Sequence, residues 1–128
     1  MAAFSLTGVK SKVINSIFKV DAAEAITAGQ AVNILGYIID PTDSGKLAIK
    51  GVAVQDAPSG GDIVVALEND VITVTNTLTV HRTLICKPSG QVDYEDQLAT
   101  GETHIIFGFT EDANTIRLRP YNSGKEMA

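Results

Sequence analysis

The side chains best suited to chemistry are few in this sequence. It contains one cysteine, Cys86, and two histidines, His81 and His104. Cys86 lies in the apolar stretch Thr83–Cys86, where a thiol typically behaves as a small buried hydrophobe. The two histidines lack the close His-x-His or His-x3-His spacing that aims two imidazoles at one metal ion. We therefore expect neither a catalytic cysteine nor a histidine metal site.

One acidic cluster contains carboxylates that could bind a cation. Asp93, Glu95 and Asp96 flank Tyr94, but they lack the Asp-x-Asp-x-Asp-Gly periodicity and the downstream glutamate that direct ligands onto one calcium ion. We interpret the cluster as a solvated loop, with a calcium site as the alternative. The sequence also lacks the glycine-rich phosphate-binding motifs and the Gly-x-Ser-x-Gly nucleophile motif. We therefore predict no catalytic residue, no cofactor and no metal.

Length and charge restrict the partners that this chain can have. Its 128 residues are the size of one domain. Fifteen acidic and ten basic side chains leave a net charge of -5, which repels phosphate backbones and anionic lipid headgroups. The sequence has neither a secretory signal pattern nor an apolar run long enough to cross a bilayer. We expect no nucleic-acid partner and no membrane partner.

The elements that must position these side chains are strands. Short stretches rich in β-branched residues alternate with turns rich in Gly, Pro, Asp and Ser, a pattern that favours a small β-barrel or a β-sandwich-like domain. We expect a bend at Gly36, a tight loop at 40–45 and at most one short helix, at 21–28. The predicted strands are 13–20, 31–35, 37–39, 46–50, 52–54, 63–67, 71–80, 82–87, 104–109 and 115–119.

Apolar residues at a period of two within these strands predict the hydrophobic core, because alternate side chains of a strand point to the same face. In the longest strand, 71–80, Asn76 interrupts the apolar row. The predicted core residues are Ile34, Leu47, Ile49, Val54, Val65, Leu67, Ile72, Val74, Leu84, Ile106 and Leu118.

The chain divides into three parts in this interpretation. Residues 1–12 are an extended N-terminal arm, residues 13–120 a single β-rich domain, and residues 121–128 a flexible C-terminal tail. The arm carries Phe4, Leu6 and Val9 between polar or small residues, and it is too short to fold alone. It could add an extended strand to the sheet edge of a neighbouring molecule, or it could be a frayed terminus.

Three segments carry a resemblance to a known family. They are Ile26–Val32, with the sequence ITAGQAV, Ser44–Ala53, with SGKLAIKGVA, and Ala57–Leu67, with APSGGDIVVAL. Together they resemble the head decoration, or capsid-cementing, proteins of tailed bacteriophages over residues 26–75, and the segment Gly108–Pro120 is similar to the closing hairpin of that family. The threonine-rich stretch 71–80 and residues 80–103 depart from the family pattern.

The resemblance implies a structural virion protein. Such proteins are compact and β-rich, commonly form homotrimers, and bind the major capsid protein on the outer surface of the icosahedral head. The resemblance thus implies no enzyme activity and synthesis in the host cytoplasm. The N-terminal arm of this sequence agrees with such a role, and we expect its residues Phe4, Leu6 and Val9 to contact the capsid.

Two other classes of function stay open. One is a different virion or surface β-domain, such as a tail, fibre or adhesin component. The other is a ligand-binding or enzymatic β-barrel that uses Asp93, Glu95, His81 or His104. A deep polar pocket that holds at least two of these four side chains would favour the enzyme.

Overall fold

Strands make up the regular structure of this chain. The computed structural model describes residues 3–13 and 17–126. Within these ranges the helical structure is limited to two 3₁₀ turns, Pro88–Gly90 and Glu95–Gln97, so the prediction of an all-β domain is confirmed. The ten strands are β1 (Lys10–Val13), β2 (Ile17–Asp21), β3 (Ala31–Asn33), β4 (Ile49–Ala53), β5 (Asp62–Ala66), β6 (Val71–Thr73), β7 (Thr83–Cys86), β8 (Val92–Tyr94), β9 (Thr103–Asp112) and β10 (Thr115–Glu126).

The strands form two antiparallel sheets. One has six strands in the order β1-β6-β10-β9-β7-β8, and the other has four in the order β2-β5-β4-β3. The sheets do not close into a barrel. Instead, side chains of both sheets meet in one hydrophobic core. Of the two predicted architectures, barrel and sandwich, the structure is therefore the sandwich-like one. This main core contains Ala31, Val52, Ala66, Ile72, Leu84, Cys86, Ile105, Phe107, Ile116 and Leu118, among others.

The four-stranded sheet is buried on its second face as well. Val32 and Ala53 belong to a second apolar cluster, whereas their strand neighbours Ala31 and Val52 belong to the main core. Because alternate residues of a strand point to opposite faces, the part of this sheet formed by β3 and β4 is apolar on both faces, whereas Lys19 and Asp21 of β2 are exposed. The predicted strands 52–54 and 63–67 lie next to each other in this sheet, since β4 pairs with β5.

Two loops, residues 22–30 and 54–61, cover the second face of that sheet. Ile26 and Ala57, one from each loop, exchange both backbone hydrogen bonds at 2.8 and 2.9 Å. The side chains of Ile26 and Ala57 are buried in the second cluster together with Ala22. The helix considered for residues 21–28 is therefore wrong, because this segment bonds to another loop and not to itself.

Several predicted strands differ from the observed ones. The predicted strands 46–50 and 52–54 overlap one strand, β4, and in 37–39 only Ile38 pairs, in an isolated bridge with Val32. Strand β8 was not among the predicted strands. The stretch 13–20 is not one strand, because Val13 ends β1 in the six-stranded sheet and Ile17–Asp21 belongs to the other sheet; residues 14–16 lie outside the described ones. The stretch 71–80 is a strand only to Thr73. Beyond it the backbone N–H groups of Val74 and Leu78 bond to the turn between β9 and β10, so the segment follows no single partner strand.

Most of the predicted core residues are buried. Val65, Ile72, Val74, Leu84 and Leu118 lie inside, and Leu47, Ile49, Val54 and Leu67 are half-buried against the two clusters.

Ile34 and Ile106 are the two errors in the predicted core. Ile34 is 60% exposed at a turn beyond the end of β3, so the strand period does not extend to it. Ile106 is only half-buried, and its neighbours Ile105 and Phe107 fill the core instead. The buried residues Thr103, Ile105 and Phe107 alternate regularly in β9, so Ile106 lies on its opposite face.

The predicted domain boundaries do not coincide with ends of secondary structure. Strand β10 continues through residues 121–126, the part of the predicted tail that the structure describes, and pairs with β9 there. Residues 3–12, the described part of the predicted arm, lie on the domain. Leu6 is buried in the main core, and Phe4 exchanges two backbone hydrogen bonds of 2.9 Å with Val92.

Asn76 holds the N-terminal segment to the domain. Its side-chain oxygen accepts a hydrogen bond from the Thr7 backbone N–H at 2.9 Å, and its amide nitrogen donates to the Ser5 carbonyl at 3.0 Å. The Thr75 backbone N–H also donates to the Thr7 carbonyl at 2.9 Å. The side-chain amide therefore takes the place of a backbone peptide in a short ladder, which explains the polar interruption of the apolar row in 71–80.

We predict that Asn76→Ala loosens the N-terminal segment while the domain stays folded. The substitution removes the two hydrogen bonds to the backbone, each worth about 1 kcal/mol, and a longer one of 3.3 Å from the Thr7 hydroxyl. Hydrogen exchange at the Thr7 amide should accelerate about tenfold, and the free energy of unfolding should fall by about 1–2 kcal/mol. The neighbouring exposed Thr77→Ala serves as the control. Equal exchange at Thr7 in both variants would contradict the role assigned to Asn76.

A buried ion pair fixes the segment between β8 and β9. The Lys87 Nζ lies 2.6 Å from the Glu102 carboxylate, and the two side chains are 11% and 7% exposed. Lys87 also donates to the Gln97 carbonyl at 2.9 Å, and the Glu102 carboxylate accepts the Ala99 N–H at 2.8 Å. These bonds satisfy both charges, so the pair can stay buried and pin the segment 95–102.

Removing one charge of this pair should be costly. We predict that Glu102→Gln lowers the free energy of unfolding by about 3 kcal/mol, because it leaves the Lys87 ammonium buried without its counter-ion. Asp96→Asn is the matched control, since it removes a carboxylate charge from the exposed Arg82–Asp96 pair, and it should cost less than about 1 kcal/mol. Denaturant titration of both variants measures the difference, and equal losses would refute the assignment.

Candidate functional site

The structure brings together only part of the residue set considered for an enzyme. The His104 Nε2 lies 2.7 Å from the Glu95 carboxylate. Asp93 is buried on β8, where its carboxylate accepts its neighbour's backbone N–H, and His81 is exposed with its ring 6.3 Å from that of Phe109. No group of three or more His, Cys, Asp or Glu side chains arranged to hold a metal ion occurs in the described ranges.

Ser123 joins His104 and Glu95 in a polar cluster. The His104 Nδ1 lies 3.0 Å from the Ser123 Oγ, so a hydroxyl, an imidazole and a carboxylate follow one another within hydrogen-bonding distance. Residue types in this order resemble a serine-hydrolase triad. Sequence reasoning missed Ser123, because only the pairing of β9 with β10 brings it next to His104.

The surroundings of Ser123 assign the cluster a structural role. The Ser123 Oγ also lies 2.8 Å from the His104 carbonyl, to which it donates its proton. A cavity of about 330 Å³ beside the cluster is lined by Glu95, His104 and Lys125 among others, but Ser123 is not one of its lining residues. A nucleophile must face the space where its substrate binds. The cluster instead ties the segment that begins at Glu95 to the last strand.

An exposed turn carries large apolar side chains. Ile34 is 60% exposed, Leu35 68% and Tyr37 38%, and we call these three residues the apolar tip. The Asn33 side-chain oxygen accepts the backbone N–H groups of Leu35 and Tyr37, both at 3.0 Å. The apolar tip is therefore held in one conformation although its side chains face solvent.

Gly36, where the sequence predicts a bend, lies within this turn and allows its backbone conformation. Its φ is +87°, a conformation that favours glycine, and an added Cβ would lie 1.9 Å from the Asp21 carbonyl oxygen. Its own carbonyl accepts the Ala23 N–H at 3.0 Å. The spacing of Asn33 and Gly36 is a turn signal that could have identified the exposed tip in the sequence.

A second exposed surface lies on the six-stranded sheet. Phe109 is 39% exposed and Tyr121 60%, and they line a groove of about 340 Å³ with the half-buried Ile106. Thr83, Glu68, Arg119 and Gly108 complete the lining, and we call these seven residues the outer groove. Neither Phe109 nor Tyr121 belongs to the core between the sheets, so the groove opens on the outer face.

The segments that carry the family resemblance are structural in this fold. Residues 26–32 and 57–67 supply the two covering loops and the strands β3 and β5 beneath them. Gln30 accepts the Thr27 backbone N–H through its side chain at 2.9 Å, and the Asp56 carboxylate accepts the Ala28 N–H at 2.8 Å. These residues shape turns and close loop contacts.

The N-terminal residues considered for partner contacts are packed on the domain. Leu6 is 5% exposed, and Phe4 and Val9 are half-buried against the main core. The Phe4 ring lies 5.9 Å from that of Tyr94, whose hydroxyl accepts the Thr79 N–H at 2.9 Å. A partner could reach Leu6 only if this segment left the core.

Comparison with known proteins adds no relative: no protein-family model matches the chain, and no curated protein matches it significantly. Among the described residues, no helix is long and apolar enough to cross a membrane.

Cys86 is buried in the main core, and burial raises the pKa of its thiol far above the ordinary value. The thiol therefore stays protonated at pH 8, where an exposed cysteine is partly thiolate. We predict that the native protein resists labelling by a thiol reagent at pH 8 and reacts at one thiol per chain after unfolding. Thr77→Cys, which adds an exposed thiol, is the control that should label at once. Rapid labelling of native Cys86 would contradict this prediction.

Proposed function

We propose that this protein is a head decoration protein of a tailed bacteriophage. It binds the major capsid protein on the outer surface of the icosahedral head and stabilises the capsid lattice as a homotrimer. In this role it is not an enzyme and uses no cofactor.

The strongest support comes from the different positions of polar and apolar side chains among the described residues: the polar ones hold the structure together, whereas several large apolar ones are exposed. The side chains that could take part in catalysis have structural roles instead. His104 and Glu95 attach one strand to another segment, and Cys86 packs in the core. In contrast, Leu35 and Tyr121 are large, apolar and more than half exposed. A protein that acts by binding other proteins needs such anchors and needs no reactive centre.

The resemblance adds independent support. It covers residues 26–75, and those segments build the doubly buried four-stranded sheet and its covering loops. The net charge of -5 favours the outer surface over the inner one, where packaged DNA would favour a basic face.

The capsid contact is better assigned to exposed side chains than to the N-terminal segment. Leu6 is enclosed in the core, and Phe4 is tied to Val92 by two backbone hydrogen bonds. Contact through these residues would first require the loss of their packing.

A second candidate function is hydrolysis by the His104 cluster. The observation in its favour is the cavity of about 330 Å³ that His104 and Glu95 line together. The position of Ser123 outside that lining argues against it. Release of product from a panel of activated esters, absent in Ser123→Ala, would establish this function in place of decoration.

We predict that the protein raises the thermal stability of expanded heads that lack it. Binding to the assembled shell but not to free subunits stabilises the shell by about 2.7 kcal/mol per site at a hundredfold excess over the dissociation constant. The measurement is binding to undecorated heads of the encoding phage, followed by heating with DNA release as the readout. Cryo-electron microscopy of the same particles locates the protein and counts the copies around each three-fold axis.

Unchanged head stability at saturating protein would overturn the cementing role. Density on the tail or fibres instead of the head would replace it with another virion role.

A further inference from the structure

The apolar tip is preorganised for insertion into a partner. The Asn33 side chain, the Gly36 contact with Asp21, and a hydrogen bond of 3.1 Å from the Ile38 N–H to the Glu24 carboxylate all hold its backbone. A binding segment that is already ordered loses little conformational entropy when it binds. Two adjacent aliphatic side chains on a rigid turn therefore form an efficient anchor.

The outer groove has matching properties. Its floor contains aromatic and aliphatic groups from Phe109, Tyr121 and Ile106, and its volume of about 340 Å³ suits small apolar groups. Backbone pairing aligns Tyr121 with Ile106 across two strands, so the floor of the groove is part of a sheet and not of a loop.

We propose that the apolar tip of one copy of this chain inserts into the outer groove of a second copy. Ile34 and Leu35 are the inserting side chains. The inference deepens the proposed function and rests on its trimer for the assembly state, because it names the two surfaces through which the copies meet.

The charges beside the apolar tip are complementary to those in the outer groove, which favours a second copy of this chain as the molecule that fills the groove. Beside the tip, the Lys46 Nζ lies 5.1 Å from the centre of the Tyr37 ring and 4.0 Å from the Glu24 carboxylate. The lining of the groove contains one cation, Arg119, and one anion, Glu68. Neither of these two is paired with an opposite charge among the described residues. Crossed pairing, Lys46 with Glu68 and Glu24 with Arg119, satisfies the charges of both surfaces.

The positions of the two surfaces make the contact head-to-tail. The tip extends from β3 of the four-stranded sheet, and the groove lies on the outer face of the six-stranded sheet. A contact between two different surfaces does not form about a two-fold axis, and it closes into a ring when the rotation between copies permits. A ring of three copies has three such contacts, so the tips and grooves contact other copies and the capsid contact falls to the surface of the domain that the ring leaves exposed.

The first test measures self-association by sedimentation equilibrium. Leu35→Glu should weaken association by about tenfold or more, because it places a carboxylate in an apolar groove. Thr77→Glu, an exposed substitution outside both surfaces, should leave association unchanged. Lys46→Glu and Glu68→Lys should each weaken it, and the double variant should restore it, since the charge pair is re-formed with opposite signs.

The second test uses disulfide formation between copies. Leu35→Cys and Thr83→Cys should cross-link when the two variants are mixed, and neither should cross-link alone, because the tip of one copy meets the groove of another. The native Cys86 is buried and should take no part. Cross-linking of either variant with itself, or of Leu35→Cys with Thr77→Cys instead, would overturn the head-to-tail arrangement.

The outcomes separate this inference from the proposed function. A protein that binds and stabilises heads but shows neither self-association nor the mixed disulfide on them retains the head-stabilising role and overturns both the trimer and the inference. A protein that forms the mixed disulfide in solution but does not bind heads overturns the function and supports the inference.

Discussion

Burial of both faces of the four-stranded sheet at β3 and β4 is the constraint on which the rest of this structure depends. Strands that are apolar on both faces need a cover on each side, and the described chain contains no helix long enough to provide one. The six-stranded sheet covers one face, and two loops cover the other. Loops can do this only where their backbone groups are bonded and their apolar side chains face the sheet, and the contact of Ile26 with Ala57 meets both conditions.

Close approach of backbone segments is a consequence of this constraint. An added Cβ at Gly51, on β4, would lie 2.3 Å from the Ala66 carbonyl oxygen on the neighbouring strand. An added Cβ at Gly36 would meet the backbone of Asp21 in the same way. Close packing thus explains Gly51, which lies in a resemblance segment, whereas Gly60 has open space beside it and is explained by its positive φ of +82°.

Polar side chains in the described part of the chain act mainly as attachments between distant segments. Asn76 holds the N-terminal segment, Lys87 and Glu102 hold the segment after β8, and the cluster of His104 holds the last strand. No buried side-chain nitrogen or oxygen among the described residues lacks a hydrogen-bond partner. What remains for interaction with other molecules is an apolar turn and an apolar groove, which is the distribution expected of a protein that functions by assembly.

The sequence by itself determined the all-β class, the main turns and about half of the core, because β-branched stretches and turn residues act locally. Val65, Ile72 and Leu118 were identified correctly by their period of two. Only the tertiary structure decided which sheet each strand joins, as the separation of Val13 from Ile17 shows, because local pattern does not specify a partner strand. It also decided the exposure of Ile34, the half-buried position of Ile106 and the meeting of Ser123 with His104. Each of these depends on register and on bends, which are set by contacts between residues far apart in the chain.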